Sequence, residues 1–289
     1  MKLATFSHDG RTRLGVAVGE ELVDLAAAAP ALPQEMCAFL AAGAPALDAA
    51  RAAAERAGAR LPLADVHLHA PVLRPPEFLA IGLNYADHIA EAGLERPKFP
   101  LFFNKQSSCV TGPYAPIHLP RVSSKLDFEA ELAFVIGRRC RHVPVERAHE
   151  VIAGYTVADD VSVRDWQFKA PTWTLGKSFD THGLLGPFLV TPDEVGDPHA
   201  LEITTWVNEE RRQHSNTREF IFTCFDMVAT LSTVCTLEPG TVISTGTPAG
   251  VGGPQKRYLA AGDVVRIAIE KLGHIENRVI DEPADTAIW

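Results

Sequence analysis

The chain has 289 residues, 46% hydrophobic and 22% charged, with 36 acidic against 27 basic side chains for a formal charge of −9. A chain of this length can bury a large core without disulfide or metal staples. It has no cluster of Lys and Arg, which argues against nucleic acid or an anionic membrane as partner.

The five cysteines, Cys37, Cys109, Cys140, Cys224 and Cys235, are odd in number, widely spaced and include no C-x-x-C pair. That is neither a disulfide framework nor a zinc ribbon, and it suits a reducing cytoplasm. The opening MKLATFSHDGR lacks the apolar core of a secretory signal, and no run of 18 apolar residues offers a membrane span.

Lys2–Phe6, Arg13–Ala17 and Leu22–Leu25 read as short strands with turns at Asp9-Gly10 and Gly19-Glu20. The composition then shifts: 17 of the 40 residues from Glu21 to Arg60 are alanine. Two small helices are predicted over Pro33–Ala42 and Ala46–Ala57, punctuated by Gly43 and Gly58. Alanine supports a helix but supplies little core, so these helices should pack against something larger. His67-Leu68-His69 places two imidazoles on one side of an extended segment. With no third ligand nearby, it reads as a surface strand. The Pro-rich stretch Pro71–Pro76 marks a boundary between a small N-terminal α/β domain over residues 1–72 and a second domain over residues 73–289.

Beyond the boundary, turn signals separate mostly strand-like runs: Phe78–Ile81, Ile117–Leu119, Leu126–Ile136, Gly154–Ala158, Gly186–Val190, Leu201–Val207, Thr241–Ser244 and Asp263–Ile269. Short helices fit Tyr85–Ala92, Val145–Ile152, Val161–Phe168 and Phe225–Leu231. Many strands with few, short helices make this an α+β, β-rich chain rather than a βαβ array.

Three motif-like strings carry no chemistry of the usual kind. Gly176-Lys177-Ser178 resembles the end of a phosphate-binding loop, but Pro171 stands where that loop needs glycine. Gly250-Val251-Gly252-Gly253 lacks the third glycine of a dinucleotide fingerprint. Ser244-Thr245-Gly246 has Val242 where a nucleophile elbow needs glycine.

The run Leu126–Ile136 is the most informative. On a strand, Glu129 and Glu131 point to one face, followed there by the apolar Ala133 and Val135. Two carboxylates on an apolar face repel and desolvate each other unless a cation lies between them. A second acidic cluster, Asp159-Asp160, ends another predicted strand and is followed by Arg164, Asp165 and Gln167. Three carboxylates without thiols or imidazoles describe a site for a hard cation, Mg²⁺ or Mn²⁺, with positions left for water and substrate. In Asn84–Glu91, His88 and Glu91 stand at i, i+3 on a predicted helix, where a carboxylate can orient an imidazole as general base.

On the motifs IGLNYADHIAE, KLDFEAELAFVIGRR, GYTVADDVSVRDWQ, WTLGKSFDTHGLLGPFLV, TGTPAGVG and GDVVRIAIEKLG, the chain resembles the fumarylacetoacetate hydrolase superfamily from Phe78 to Val279. It is most similar to the branch of the mammalian "domain-containing" proteins and their bacterial relatives. The resemblance implies a β-rich mixed roll and a homodimer. It implies metal ligation by Glu129, Glu131 and Asp160, a catalytic dyad of His88 and Glu91, a catalytic Lys177, and substrate contacts from Gln167 and Thr247. One departure concerns the pocket wall: many relatives have Lys-Pro where this chain has Lys105-Gln106.

The chemistry so implied starts from a small anionic 2-oxo acid that chelates the ion. Attack of water on a C4 carbonyl would cleave the C3–C4 bond of an acylpyruvate through a metal-bound enolate, with His88 as base. The same enolate serves an oxaloacetate keto–enol tautomerase or decarboxylase, the second reading. A non-catalytic scaffold is the third, and it gives no reason to keep so many desolvated charges.

Overall fold

The computed structural model describes residues 1–286. Residues 287–289, which end the second domain assigned from sequence, lie outside the described residues.

Strands Lys2–His8, Arg11–Val18 and Glu21–Asp24 form an antiparallel meander through the two predicted turns. The meander continues a larger sheet. Lys2 and Leu3 pair with Val190 and Leu189 on Gly183–Val190. The order then runs through Ile152–Asp160, Ala130–Ile136, Val242–Ser244 and Phe78–Gly82 to Leu101–Lys105. The sheet, twelve strands in all, thus holds strands from both sides of residue 72. A second sheet of five strands has the order Glu210–Asn216, Glu202–Val207, Val264–Ile269, Gly273–Asp281, Ile117–Leu119.

The strand Ala130–Ile136 is buried along its whole length because both faces of the large sheet are covered. Leu132, Phe134 and Ile136 point into the larger core, shared with the five-stranded sheet and the helix Cys224–Val234. Ala133 and Val135 point the other way, into a core built with the N-terminal segment. The alanine-rich helix Ala44–Arg56 lies on that second face and buries Ala46, Ala50, Ala53 and Ala54. Spacings of three and four residues put these methyls on one stripe. The small side chains let the helix approach the sheet closely, so the predicted packing against a larger body is what the structure shows.

Several predicted elements differ in detail. The run Leu126–Ile136 is two strands, Leu126–Asp127 and Ala130–Ile136, because the chain leaves the ladder at Phe128-Glu129. There the Glu129 amide donates to the Asp159 side chain (2.8 Å) instead of a strand carbonyl. The predicted helix Val161–Phe168 is a bridge strand, Ser162–Val163, followed by the single turn Arg164–Gln167. Glu210–Asn216 and Gly273–Asp281 are strands absent from the predicted set. Glu210–Asn216 is ERRQHSN, an edge strand whose only fully buried residue is Gln213, so it carries no apolar alternation to read. Among the described residues no helix is long and apolar enough to cross a membrane.

Leu3 is fully buried where the N-terminal meander joins the rest of the sheet. Leu3→Ala should lower unfolding stability by about 2–5 kcal/mol, the usual cost of emptying such a site. Because the sheet is continuous, urea denaturation followed by fluorescence should show one transition moved to lower urea, not an early separate loss of residues 1–71.

Candidate active site

The strand Ile152–Asp160 runs antiparallel to Ala130–Ile136, with Ala130 opposite Asp159. This register brings the end of one acidic run to the start of the other. Glu129, Glu131 and Asp160 are all buried, and one carboxylate oxygen of each lies within 4.8 Å of the others. Although Glu129 lies just outside the ladder, its carboxylate still converges with that of Glu131. Asp159 is turned away: its Oδ1 accepts the Glu129 amide, and its Oδ2 is buried without a partner.

Cations alternate with these acids. Lys105 donates to Asp160 Oδ1 (2.5 Å) and Lys177 to Asp160 Oδ2 (2.8 Å). Lys177 also donates to Glu129 Oε2 (2.7 Å), and Arg164 to Glu129 Oε1 (2.5 Å) and Asp127 Oδ2 (2.8 Å). The result is one chain of charges, Lys105–Asp160–Lys177–Glu129–Arg164–Asp127, that ends on backbone: Gly252 and Gly253 amides donate to the two Asp127 oxygens at 2.8 Å. The glycine string that fails as a dinucleotide fingerprint therefore cradles an anion after all, the protein's own carboxylate. Ser244, set aside as a nucleophile, donates its hydroxyl to Glu131 Oε2, which also accepts the Gly246 amide (2.9 Å).

Lys177 is held from behind. It ends a short helical turn, Thr174–Lys177, whose carbonyl accepts from Lys105. A Cβ on Gly176 would lie 2.2 Å from the Gln167 amide nitrogen, so only glycine lets the two turns meet. The tight backbone expected around Gly176 and Ser178 is present. On the other side Asn84, fully buried, donates to the carbonyls of Thr245 (2.8 Å) and Phe222 (3.1 Å) and fixes the TGTP loop against the strand-to-helix junction. Gly246 in that loop has φ +91°, where a side chain is strained, and a Cβ there would meet Asn84.

These groups face a cavity of about 360 Å³ lined by His88, Glu129, Arg164, Gln167, Lys177 and Thr247, with Phe103, Trp173, Phe168 and Leu94 among its apolar walls. His88 comes from the helix Ala86–Ala92. Its Nδ1 is 3.5 Å from Glu91 Oε2 and has no hydrogen-bond partner, while the Glu91 carboxylate accepts the Gly250 amide (3.1 Å). The pair is adjacent, as i, i+3 spacing predicts, yet Glu91 is occupied by the glycine loop. Gln167 Oε1 accepts from Arg164 (3.0 Å). Sequence reasoning passed over Lys105, Asp127 and Arg164 as working parts, although Arg164 stands in the same string as Asp160 and Gln167. Outside the site, His69 hydrogen-bonds Ser7 (2.5 Å) and His67 is exposed. Among the described residues the only cluster suited to a metal is the carboxylate triad.

The electrostatics fit a divalent ion. Burial pushes the Glu129 carboxyl up, but Lys177 and Arg164 more than offset this and hold it at about 2. Glu131 lacks a cation of its own. Burial, then the charges of Asp160 and Glu129, drive its pKa well above the usual range. Asp159 is raised to about 7, chiefly by burial. Five carboxylates (Asp127, Glu129, Glu131, Asp159, Asp160) stand against three cations (Lys105, Arg164, Lys177). Full ionisation leaves two negative charges in excess, next to oxygen donors of the kind that hard divalent ions take.

Two family models match the chain: Rv2993c-like, N-terminal, over residues 1–71, and fumarylacetoacetate (FAA) hydrolase C-terminal over residues 77–280. Oxaloacetate tautomerase fahd2, mitochondrial, of Xenopus laevis is 43% identical over 288 residues, 97% of this chain and 90% of the relative. Among solved structures, maleylpyruvate hydrolase from Sphingobium sp. SYK-6, in complex with manganese(II) and pyruvate, superposes with a TM-score of 0.82 at 35% identity, covering 98% of this chain and all of the other. 5-Carboxymethyl-2-hydroxymuconate delta-isomerase from Mycobacterium smegmatis matches with a TM-score of 0.79, again at 35% identity, 98% of this chain and 100% of that one. With its β-rich α+β fold, the chain belongs to the fumarylacetoacetate hydrolase superfamily, in the branch of the oxaloacetate tautomerases and acylpyruvate-type hydrolases.

Proposed function

We propose that the chain moves a proton at C3 of a small 2-oxo acid bearing a second carbonyl at C4, acting as an oxaloacetate keto–enol tautomerase. The observation that carries this reading is the single cavity in which the His88 imidazole, the Lys177 ammonium and the edge of the carboxylate triad meet. Relatives named as oxaloacetate tautomerases, alike over nearly the whole chain, support it. Proton transfer between C3 and one base asks only that His88 reach the carbon. It does not require Nδ1 to be locked by a carboxylate, and here Nδ1 is free.

In this reading Glu129, Glu131 and Asp160 would hold Mg²⁺ or Mn²⁺, and the ion when bound would supply Lewis-acid charge toward the oxygens of the acid. His88 takes the proton from C3 and delivers it to the C2 oxygen, or the reverse from enol to ketone, so that one C–H bond is exchanged for one O–H bond. Lys177, anchored on Glu129 and Asp160, adds a fixed positive charge near the oxygen where negative charge develops. Gln167 and Thr247 bind the carboxylate, and Phe103 and Trp173 form the apolar side of the cavity.

A second reading, hydrolysis of the C3–C4 bond of an acylpyruvate, has in its favour that the Glu91 carboxylate lies 3.5 Å from His88 Nδ1, so that a small shift would let it orient the imidazole toward a water. The structural likeness to a maleylpyruvate hydrolase supports it as well. Enol-oxaloacetate should lose its enol absorbance faster with the protein and Mg²⁺ than with Mg²⁺ alone, without matching release of CO₂, and a chelator should abolish the difference. Acylpyruvates turned over to pyruvate while oxaloacetate is ignored would establish the second reading instead.

His88→Ala should lower turnover by about 10²- to 10⁴-fold, the usual worth of a positioned base, while Mg²⁺ and oxalate still bind by calorimetry. An unchanged kcat would remove His88 from the mechanism. Asp160→Asn should weaken Mg²⁺ binding by more than the roughly tenfold that even an outer partner of a metal ligand commands. Full affinity in that variant would dismiss the triad as the ligand set.

A further inference from the structure

Gln213 lies on the edge strand Glu210–Asn216 of the five-stranded sheet, is 1% exposed, and reaches into the site from outside the catalytic motifs. All four hydrogen-bonding positions of its amide are filled. Oε1 accepts from the Ala130 amide (3.1 Å) and from the Thr205 hydroxyl (2.8 Å). Nε2 donates to the Pro248 carbonyl (2.9 Å) and to Thr247 Oγ1 (2.9 Å). The way round of a side-chain amide is often ambiguous, since its oxygen and nitrogen look alike. Here it is fixed by chemistry, because a peptide N–H can only donate and a carbonyl can only accept. The oxygen must face Ala130 and the nitrogen must face Pro248.

This has a consequence one bond further on. Thr247 Oγ1 receives an N–H from Gln213, which fills one of its two lone pairs and bars its O–H from turning toward Gln213, so the O–H is biased to donate elsewhere. Thr247 lines the cavity, and the carboxylate and keto oxygens of a 2-oxo acid can only accept. The geometry points to Gln213 as a positioning residue that sets the polarity of Thr247, holding its hydroxyl as a donor toward the anionic oxygen of the bound acid. Gln213 does not touch the acid; it acts through Thr247. A hydroxyl free to turn would spend part of its time presenting a lone pair to the anion, so a fixed donor binds acids more tightly and discriminates against ligands lacking an acceptor there. This inference rests on the pocket being a 2-oxo acid site.

The test is a double-mutant cycle on oxalate affinity, read by calorimetry with Mg²⁺ present, over Thr247→Val, Gln213→Met and the double variant. Thr247→Val should weaken oxalate on the order of 10- to 100-fold, as for a hydrogen bond to a charged group. Thr247→Ser, which keeps the hydroxyl, should stay near the wild type. Gln213→Met should weaken oxalate too, and the two losses should not add: the double variant should match Thr247→Val alone. Losses that add overturn the inference.

Mg²⁺ titrated alone should bind Gln213→Met as it binds the wild type, whereas a joint loss of metal and oxalate affinity would mean a displaced strand and overturn it as well. If Gln213→Met does not fold, Gln213→Glu keeps the volume and the acceptor for Ala130. It also offers Thr247 an oxygen, so the hydroxyl turns inward and oxalate affinity should fall to the Thr247→Val level. Wild-type affinity in Gln213→Glu overturns the inference. Wild-type protein that binds no 2-oxo acid or oxalate overturns the proposed function itself, an outcome distinct from tight oxalate binding with additive losses.

Discussion

The structure turns on one constraint: five carboxylates are buried together with only three cations to neutralise them. Each carboxylate removed from water costs several kcal/mol unless it is paired and hydrogen-bonded. The fold meets that cost by alternation. Lys105, Lys177 and Arg164 are each shared between acceptors, so that Asp160 and Glu129 each meet two cations. Because the chain of charges begins on the strand Leu101–Lys105 and ends on the amides of Gly252 and Gly253, it fastens together segments far apart in sequence. The Thr174–Lys177 turn, the Arg164–Gln167 turn and the glycine loop are too short to hold their places alone; ion pairs and backbone donors place them. Glu131 is left with a hydroxyl and an amide but no cation, and its raised pKa registers that shortfall.

What could be read from residues alone follows the same division. Glu129 and Glu131 were legible because carboxylates in i, i+2 spacing on an apolar run are unusual, and unusual burial of charge needs a reason; the choice of Asp160 over Asp159 as the third came from the family resemblance. His88 and Glu91 were legible from helical spacing. The alanine-rich helix was legible as a segment that must lean on something larger, since methyl groups cannot make a core by themselves. The broken ladder at Phe128-Glu129 was not legible, because the local pattern favours one unbroken strand and only the Asp159 side chain, thirty residues away, takes the amide out of it. Lys105 and Asp127 were hidden for a similar reason. Lys105 stands in the sequence only as a departure at the pocket wall and Asp127 as an acid before Phe, and neither pattern shows the ion pairs that tertiary contacts give them. Gln213 was hidden more deeply, in a polar edge strand with no periodic signal, and its role depends on four partners from three separate segments.

The two sheets have different tasks in this arrangement. The large sheet supplies the acids, through the antiparallel register that sets Ala130 opposite Asp159. The smaller sheet supplies neutral polar support, and Gln213 is where it reaches the site, bracing the peptide between Glu129 and Glu131 as well as the TGTP loop. A neutral amide suits that place. Another lysine there would halve the excess negative charge and weaken the site's pull on a divalent ion, and another carboxylate would deepen the desolvation that Glu131 already carries.

The formal charge of −9 looks ill-suited to a protein that takes anions. Net charge, though, sets the long-range field, which at physiological ionic strength fades within about 8 Å. Inside the pocket the local count decides, and with the carboxylates ionised that count is also negative, by two. An anionic acid approaching the bare site would meet Glu129 at the cavity wall and find Lys177 and Arg164 already engaged with carboxylates. A divalent ion among the three carboxylates removes the excess and turns the same walls from repelling to attracting. On the proposed function, then, the cation answers the local excess of buried carboxylates at Glu129, Glu131 and Asp160, and the −9 of the whole chain decides nothing at the site.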